Sequence, residues 1–382
     1  MTKHVLIIQR RMTEYRVSLF EQLRDKLKKQ NITLTIVYGT AKENEKLRKD
    51  DAKLIWGHAI TNRYFNIDNI QLVWQKIPST ILAQQGLIIM PHESSLLINY
   101  YLLFKKRFNR IKLAFWGHGG NFQAQSDGFR ERIRARIARQ VDWWFAYTAL
   151  SVEKIVKNGF SEDRITCLNN SIDTGKLIEW KNGIRLDERE ATRRALGLEG
   201  NNVGVFVGSL HAQRRLDFLF SAVNELRKRL KSFDLIIIGD GELREKVKEF
   251  IRGNAWARWT GALRGREKVL HMSLGKIILN PGLVGLNILD SFALGIPMIT
   301  TDCGIHSPEI AYLESGRNGI MTPDDLESYV SAVENLLRND QLRKEMASTC
   351  IEDARRYSLD KMVDNFCEGI LKALDAEPRY QK

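Results

Sequence analysis

Apolar residues occur along this chain in short unbroken runs, each followed by a stretch with helical spacing of apolar and polar positions. HVLIIQ (4–9) is followed by SLFEQLRDKLKKQ (18–30), and ITLTIVYG (32–39), GLIIMP (86–91), KLAFWG (112–117) and DWWFAY (142–147) continue the theme. Short apolar runs that end in turn residues fit strands covered on both faces. Their alternation with amphipathic helices predicts a doubly wound α/β sheet. The pattern lapses over 174–202, a polar stretch with no expected strand, and the inter-domain connection is placed at about 174–180. It resumes with VGVFVGSL (203–210), FDLIIIGDG (233–241), RWTGAL (258–263), KIILNPG (276–282) and PMITTDCG (297–304), with helices between and after them. The last amphipathic stretch, 359–376, is expected to be a helix that crosses back to the first domain. The expected domains are therefore 1–175 and 176–358, two Rossmann-like units facing across a cleft. Ligands of open α/β sheets sit beyond the carboxyl ends of the strands, so the turns after each strand are where chemistry is sought.

A chain of 382 residues exceeds what one hydrophobic core usually serves. No apolar run approaches the roughly 20 residues of a membrane span. Lys3–Gln9 reads as a buried first strand and not as a leader, so a cytoplasmic protein is expected. The four cysteines are scattered without a CxxC, which argues against zinc and against a disulfide framework. The net charge of +13 is uneven: residues 1–175 hold 28 Lys and Arg against 16 Asp and Glu, and the remainder is nearly balanced. The first half is thus the half expected to meet something anionic.

Three turns of the second half carry candidate chemistry. In NPGLVGLNILDSFALGIP (280–297), Pro281 ends a strand, and Gly282 and Gly285 remove side chains where backbone N–H groups could point outward. A helix over about 286–294 then offers its positive end, which suits phosphate, with Asp290 a turn further in. The same residues equally make a tight strand-to-helix turn. In FVGSLHAQRR (206–215), Arg214 and Arg215 follow a strand and Gly208 and could bind a diphosphate. In IIGDGELR (237–244), Gly239 and Gly241 allow close backbone approach, although G-D-G also makes an ordinary turn. In the first half, FWGHGGNFQ (115–123) sets His118 between glycines after a strand.

These segments resemble the retaining glycosyltransferases of family 4, which have the GT-B fold. DSFALGIP (290–297) is similar to the second half of that family's donor motif, P-x-x-x-E-x-x-G followed by E-A-x-A-x-G-x-P. The resemblance puts Asp290 at the glutamate that meets the nucleotide ribose. It puts Gly282 at the glutamate that meets the donor sugar, a departure shared with a P-G-x-V-G-L variant of the motif. Gly282, Leu283, Val284, Gly285 and Leu286 then form the donor turn. FVGSLHAQRRLDFL resembles the V-G-R-L-x-x-x-K-G segment, with Arg214 at the diphosphate-binding lysine and Ser209 at a position usually held by arginine. Arg215 either compensates for Ser209 or is a surface charge. Gly208, Gly239 and Gly241 line the nucleotide, and Glu309 of HSPEI (306–310) belongs to a late donor-side turn or balances a helix dipole. His118 is implied to contact the donor sugar, so His118 and Arg214 are the expected catalytic pair. Tyr15, Arg16, His92 and Glu93 fall on the acceptor side, and each is as readily a plain loop residue.

The resemblance implies a hexosyl- or N-acetylhexosaminyltransferase that takes a nucleotide sugar, with UDP favoured, and retains the anomeric configuration. Its acceptor would be a glycan or lipid-linked glycan of cell-surface polysaccharide or lipopolysaccharide assembly. No Asp-x-Asp pair is present, so neither metal nor resident cofactor is expected. Two basic stretches, 99–112 and 128–144, suggest peripheral contact with the inner face of the cytoplasmic membrane through Lys105, Lys106, Arg107, Arg110, Arg132 and Arg136. A non-catalytic GT-B protein that binds a glycan or lipid is the alternative. A nucleic-acid binder is less well supported, because no recognition motif accompanies the basic residues.

Overall fold

Buried apolar runs set the architecture. The computed structural model describes residues 3–41, 50–68, 70–108, 111–120 and 136–379. The chain divides into two compact units, residues 1–170 with 359–382, and residues 171–358. The sequence reading had set the first boundary at 175/176.

The first unit is built on a seven-stranded sheet. Its strands are β1 (Lys3–Gln9), β2 (Ile32–Gly39), β3 (His58–Ile60), β6 (Leu87–Pro91), β7 (Lys112–Gly117), β8 (Trp143–Ala146) and β9 (Ile165–Cys167), and their order is β3-β2-β1-β6-β7-β8-β9. A separate antiparallel hairpin, β4 (Asn62–Ile67) with β5 (Ile70–Gln75), lies between β3 and β6 in the chain. All pairings in the seven-stranded sheet are parallel, with β1 in register against both β2 and β6. Val5, Leu6, Ile7 and Ile8 of β1 are all fully buried. That follows from helices on both faces of a central parallel strand.

The helix Leu359–Asp375 belongs to this unit. It buries Leu359, Met362, Val363, Phe366, Ile370 and Ala373, a stripe at the three-and-four spacing of one helix face. Phe366 packs on Trp116 and Phe145, with ring centroids 5.0 and 4.8 Å apart. Gly369 is required where the helix meets β9, because a Cβ there would lie 2.4 Å from Thr166 Oγ1.

The second unit carries six parallel strands: β10 (Asn202–Val207), β11 (Phe233–Ile238), β12 (Ala257–Gly261), β13 (Ile277–Leu279), β14 (Met298–Thr301) and β15 (Gly319–Thr322). Their order is β12-β11-β10-β13-β14-β15. This is the doubly wound arrangement, with its switch point between β10 and β13. The polar stretch expected to lack strands forms two helices instead, Thr174–Asn182 and Leu186–Ala195. Asp173 caps the first of them through Lys176 N–H at 3.0 Å.

Candidate functional site

At the switch point of the second unit, three turns are sewn together by backbone hydrogen bonds. Gly208 N–H donates to Ile238 O at 3.0 Å, Gly239 N–H to Gly261 O at 2.8 Å, and Leu210 N–H to Asp240 O at 3.0 Å. Leu283 N–H donates to Gln213 O at 2.9 Å, which joins the turn after β13 to the turn after β10. The glycines are steric requirements of this stitching. A Cβ on Gly239 would lie 1.8 Å from Gly208 O, and one on Gly241 would lie 2.5 Å from Leu210 O.

Gly282 is held the same way. A Cβ there would fall 2.3 Å from Gln213 O and 2.7 Å from the carbonyl carbon of Arg214. Backbone therefore occupies the space that a side chain at position 282 would need. The adjoining amides also differ from expectation. Leu283 N–H is spent on Gln213 O, Val284 N–H on His306 Nδ1 at 3.1 Å, and Gly285 N–H on Asn287 Oδ1 at 3.0 Å. The turn does not point these three N–H groups outward; they fasten it to its neighbours. The helix Asn287–Leu294 begins immediately after.

His306 is a residue the sequence reading quoted without assigning. It is buried, and its Nδ1 accepts from Val284 while its Nε2 donates to Thr301 O at 2.7 Å. Both ring nitrogens are satisfied in the neutral form, so His306 braces the turn. Glu309 is buried two residues into the short helical turn that follows.

Arg214 and Arg215 are adjacent but differ in their surroundings. Arg215 sits in the left-handed region at φ 54° and donates to Asp324, to Thr301 Oγ1 at 3.1 Å and to Pro281 O at 3.3 Å. It is an internal clamp, neither a replacement cation for Ser209 nor an idle surface charge. Ser209 is exposed. Arg214 lies over Gly208, whose Cβ would meet its guanidinium at 3.1 Å, and donates to Leu283 O and to Asn280 Oδ1 at 3.4 Å. It makes no ion pair among the described residues, and its Nε is buried without a hydrogen-bond acceptor. Burial, uncompensated by a carboxylate, pulls the Arg214 guanidinium down to about 10, so it remains a cation at neutral pH. Asn287 Nδ2, at the start of the helix, is a second buried donor without an acceptor.

Asp290 is buried on the first turn of that helix, and its carboxylate accepts from Lys268 Nζ at 2.6 Å. Lys268, Asn280 and Asn287 were missed in the sequence. Asn280 could have been noticed as a fully buried amide at the end of an apolar strand, since a polar residue there needs partners. Nothing local marks Lys268, whose partner lies 22 positions away.

In the first unit the switch point falls between β1 and β6. Arg10 after β1 and Glu93 after β6 pair there at 3.4 Å. His92 follows β6, with its ring 4.7 Å from Trp144 and 5.1 Å from Phe115. His118 follows β7, is exposed, and lies 4.5 Å from the Tyr147 ring. Tyr15 is partly exposed, whereas Arg16 is buried, with its guanidinium 4.6 Å from the Trp116 ring and 4.9 Å from that of Tyr15. Arg16 therefore buttresses this end of the sheet and is not laid open to a ligand. A cavity of about 300 Å³ opens beside these turns, lined among others by His92, Glu93, Ser95, Asn99, Tyr100 and Phe115.

The basic residues separate. Lys106 is buried and bonds Asp142 at 2.7 Å and Gln140 O at 3.0 Å, so it cannot face a lipid surface. Arg107 and Arg136 are exposed, and Lys105 lies 5.3 Å from the Tyr101 ring. Arg110 and Arg132 lie outside the described residues. Among the described residues no group of three potential metal ligands gathers. No described helix is long and apolar enough to cross a membrane.

Comparison with known proteins identifies the architecture. Residues 201–339 match the family model "Glycosyl transferases group 1". The chain is 26% identical over 195 residues to an alpha-D-kanosaminyltransferase of Streptomyces kanamyceticus, an alignment that covers 49% of each chain. It is 23% identical over 361 residues to an uncharacterized glycosyltransferase of Methanocaldococcus jannaschii, covering 85% of this chain and 84% of that one. Against the first of these curated relatives the chain spans only about half of the relative's length. Among solved structures, Anabaena HepE in complex with UDP superposes with a TM-score of 0.72 at 14% identity, covering 96% of this chain and 99% of that one. A glycosyltransferase from Rickettsia africae superposes with a TM-score of 0.72 at 13% identity, covering 98% of this chain. The fold is that of the GT-B glycosyltransferases, two Rossmann-like α/β domains.

Proposed function

We propose that this chain, whose residues 201–339 match the family model "Glycosyl transferases group 1", is a retaining glycosyltransferase that takes its sugar from a UDP-linked donor. The observation that carries the reading is Arg214, a half-buried cation whose Nε has no acceptor and which has no carboxylate partner, at the switch point of a doubly wound sheet. Of the other arginines of the unit, Arg215 pairs with Asp324, Arg229 with Glu327, Arg244 with Asp240, Arg266 with Glu188 and Arg317 with Asp353, and Arg258 donates to four backbone carbonyls. A half-buried guanidinium without a counter-charge is stabilised when a ligand supplies one, and a diphosphate does. The same cation would stabilise the departing nucleotide diphosphate as the glycosidic bond breaks. HepE supports the choice of base, because its structures were solved with UDP and with UDP-glucose.

In this reading Arg214 and the Asn287 carboxamide hold the diphosphate, and Asp290 meets the ribose with Lys268 fixing its carboxylate. Within the second unit, the donor sugar is met by the backbone around Gly282 and Gly285. The acceptor is a hexose-bearing glycan or lipid-linked glycan taken at the turns of the first unit, beside the cavity at His92 and Glu93. The transferred group is a hexose or N-acetylhexosamine, the setting is cell-surface polysaccharide or lipopolysaccharide assembly at the cytoplasmic membrane, and no metal takes part.

Thermal melting with UDP, GDP, ADP and CMP in parallel tests the donor half. A nucleotide at a hundredfold excess over its Kd stabilises by about 2.7 kcal/mol. A shift with UDP alone supports the reading. A shift with none of the four moves the weight to a GT-B protein that binds glycan without transferring sugar, which the backbone packing at Gly282 would then explain.

A further inference from the structure

The hairpin β4–β5 stands outside the seven-stranded sheet, and its two faces differ sharply. Pairing in the hairpin sets Arg63 opposite Trp74, Phe65 opposite Leu72 and Ile67 opposite Ile70. These six side chains share one face, because alternate residues of a strand point the same way. The other face is anchored, with Val73 buried in the core. On the first face Ile67 is 57% exposed, Ile70 53% and Phe65 47%. Trp74 carries this face onto the helix Leu97–Lys106, meeting Tyr101 edge to face with centroids 5.9 Å apart. The helix continues it. Phe104 lies one turn beyond Tyr101, and Phe108, just past the helix, is 5.2 Å from the Phe104 ring. Phe104 is 60% exposed and Phe108 73%.

Isolated exposed apolar residues are ordinary; a contiguous line of aromatics and isoleucines across two elements is not. The charges around it point to the occupant. Arg63, Lys105 and Arg107 lie on these segments and Lys76 directly after β5, and among the described residues of 62–75 and 97–108 the one carboxylate is Asp68 at the hairpin turn. Apolar side chains within a cationic rim match a bilayer with anionic headgroups: the rings enter the acyl boundary and the cations stay at headgroup level.

We infer that hairpin β4–β5 and helix Leu97–Lys106 form a docking ridge for an anionic lipid surface, with Phe65, Ile67, Ile70, Phe104 and Phe108 as the inserting side chains. The ridge is carried by apolar residues that the basic stretches of the sequence do not announce, and it excludes Lys106, which is buried. It does not rest on the transferase reading, because no nucleotide-site residue takes part.

The test is co-sedimentation of the full chain with vesicles of phosphatidylcholine alone and of phosphatidylcholine mixed with phosphatidylglycerol. The wild-type chain should partition to the anionic vesicles, and less so as salt rises. Phe104→Glu with Phe108→Glu should lower that partition at least about tenfold, and Ile67→Glu with Ile70→Glu should do the same. Lys105→Gln with Arg107→Gln should lower partition to anionic vesicles about fivefold or more and leave the phosphatidylcholine arm unchanged. The positions are exposed, apart from the half-buried Lys105, and lie outside the second unit, so melting temperature and any nucleotide-induced shift should stay close to wild type. Three results would each overturn the inference. The wild-type chain could fail to bind anionic vesicles. The two double glutamate variants could bind as wild type does. Or sedimentation velocity could show a dimer that the Phe104/Phe108 variant dissociates while vesicle binding is unchanged, which would assign the ridge to a second copy of the chain.

Discussion

Replacing Arg214 with methionine separates two costs that usually move together. Holding the guanidinium charged in its site costs on the order of 1–3 kcal/mol, since burial brings it down to about 10 and the site is not fully closed to water. Methionine keeps most of the side-chain length and removes the charge. It also removes the hydrogen bonds to Leu283 O and Asn280 Oδ1, each worth about 1 kcal/mol. Leu283 O keeps a second donor, Asn280 Nδ2 at 3.1 Å, so the loss there is partial. The two effects nearly cancel, and Arg214→Met should melt within about 1 kcal/mol of wild type, or roughly 2–4 °C for a unit of this size. Nucleotide binding should behave differently. Loss of one charge-assisted contact to a diphosphate, about 1.5–3 kcal/mol, weakens UDP binding some tenfold to a hundredfold. At a UDP concentration that stabilises wild type by about 2.7 kcal/mol, a thirtyfold weaker variant gains only about 0.9 kcal/mol. The assay is a melting series with and without UDP, with sugar transfer measured in parallel and expected to fall at least about tenfold. A variant that loses several kcal/mol without ligand yet keeps the full UDP shift would refute the reasoning, because Arg214 would then be a structural residue.

Three further outcomes are expected. Gly282→Glu, which writes the family's usual acid into the turn, should lower stability by about 2 kcal/mol or more and weaken the UDP shift, since the new Cβ falls 2.3 Å from Gln213 O; an active, stable variant would show that the turn can open. Lys268→Met leaves the buried Asp290 carboxylate without its ammonium and should cost about 3 kcal/mol in urea unfolding, whereas Lys268→Arg should recover most of that; equal losses would mean that the charge is not what matters. Lys106→Met strands Asp142, which also accepts Leu113 N–H at 2.8 Å, and should destabilise the first unit by about 3 kcal/mol while leaving the nucleotide shift of the second unit intact.

Much of the parallel sheet was legible because a strand buried on both faces must be apolar throughout, and such runs are rare elsewhere. HVLIIQ and FDLIII advertise themselves in this way. The hairpin β4–β5 did not, because NRYFNI and IQLVWQ bury only part of one face and leave apolar side chains in solvent. The turns were legible as places, since glycines after apolar runs mark close backbone approach. Their hydrogen-bond economy was not. That Val284 N–H ends on His306, or that Lys106 ends on Asp142, depends on contacts spanning 22 and 36 positions, which local pattern does not encode. The basic stretch at 99–112 misled for the same reason. Its lysines look equivalent in sequence, yet Lys105 is half-buried beside Tyr101 and its neighbour Lys106 is in a buried ion pair.

The contrast between Arg214 and Arg215 carries that lesson into function. Both are arginines, both follow β10, and either could serve as a phosphate cation on sequence grounds. Arg215 occupies a left-handed backbone position, which swings its side chain to Asp324, Thr301 and Pro281 and closes the turn after β13 from behind. Its charge is neutralised before any ligand arrives. With Ser209 in place of a second cation and Arg215 paired, the described residues of this site retain one uncompensated guanidinium, supplemented by the Asn287 carboxamide. A diphosphate held by one cation and neutral donors is bound less by net charge than by directed hydrogen bonds, so its affinity should depend weakly on ionic strength. Measuring the Kd for UDP across a salt series discriminates the two cases: a nearly flat dependence fits the single arginine, and a steep one would require further cations, which the described residues of this site do not present.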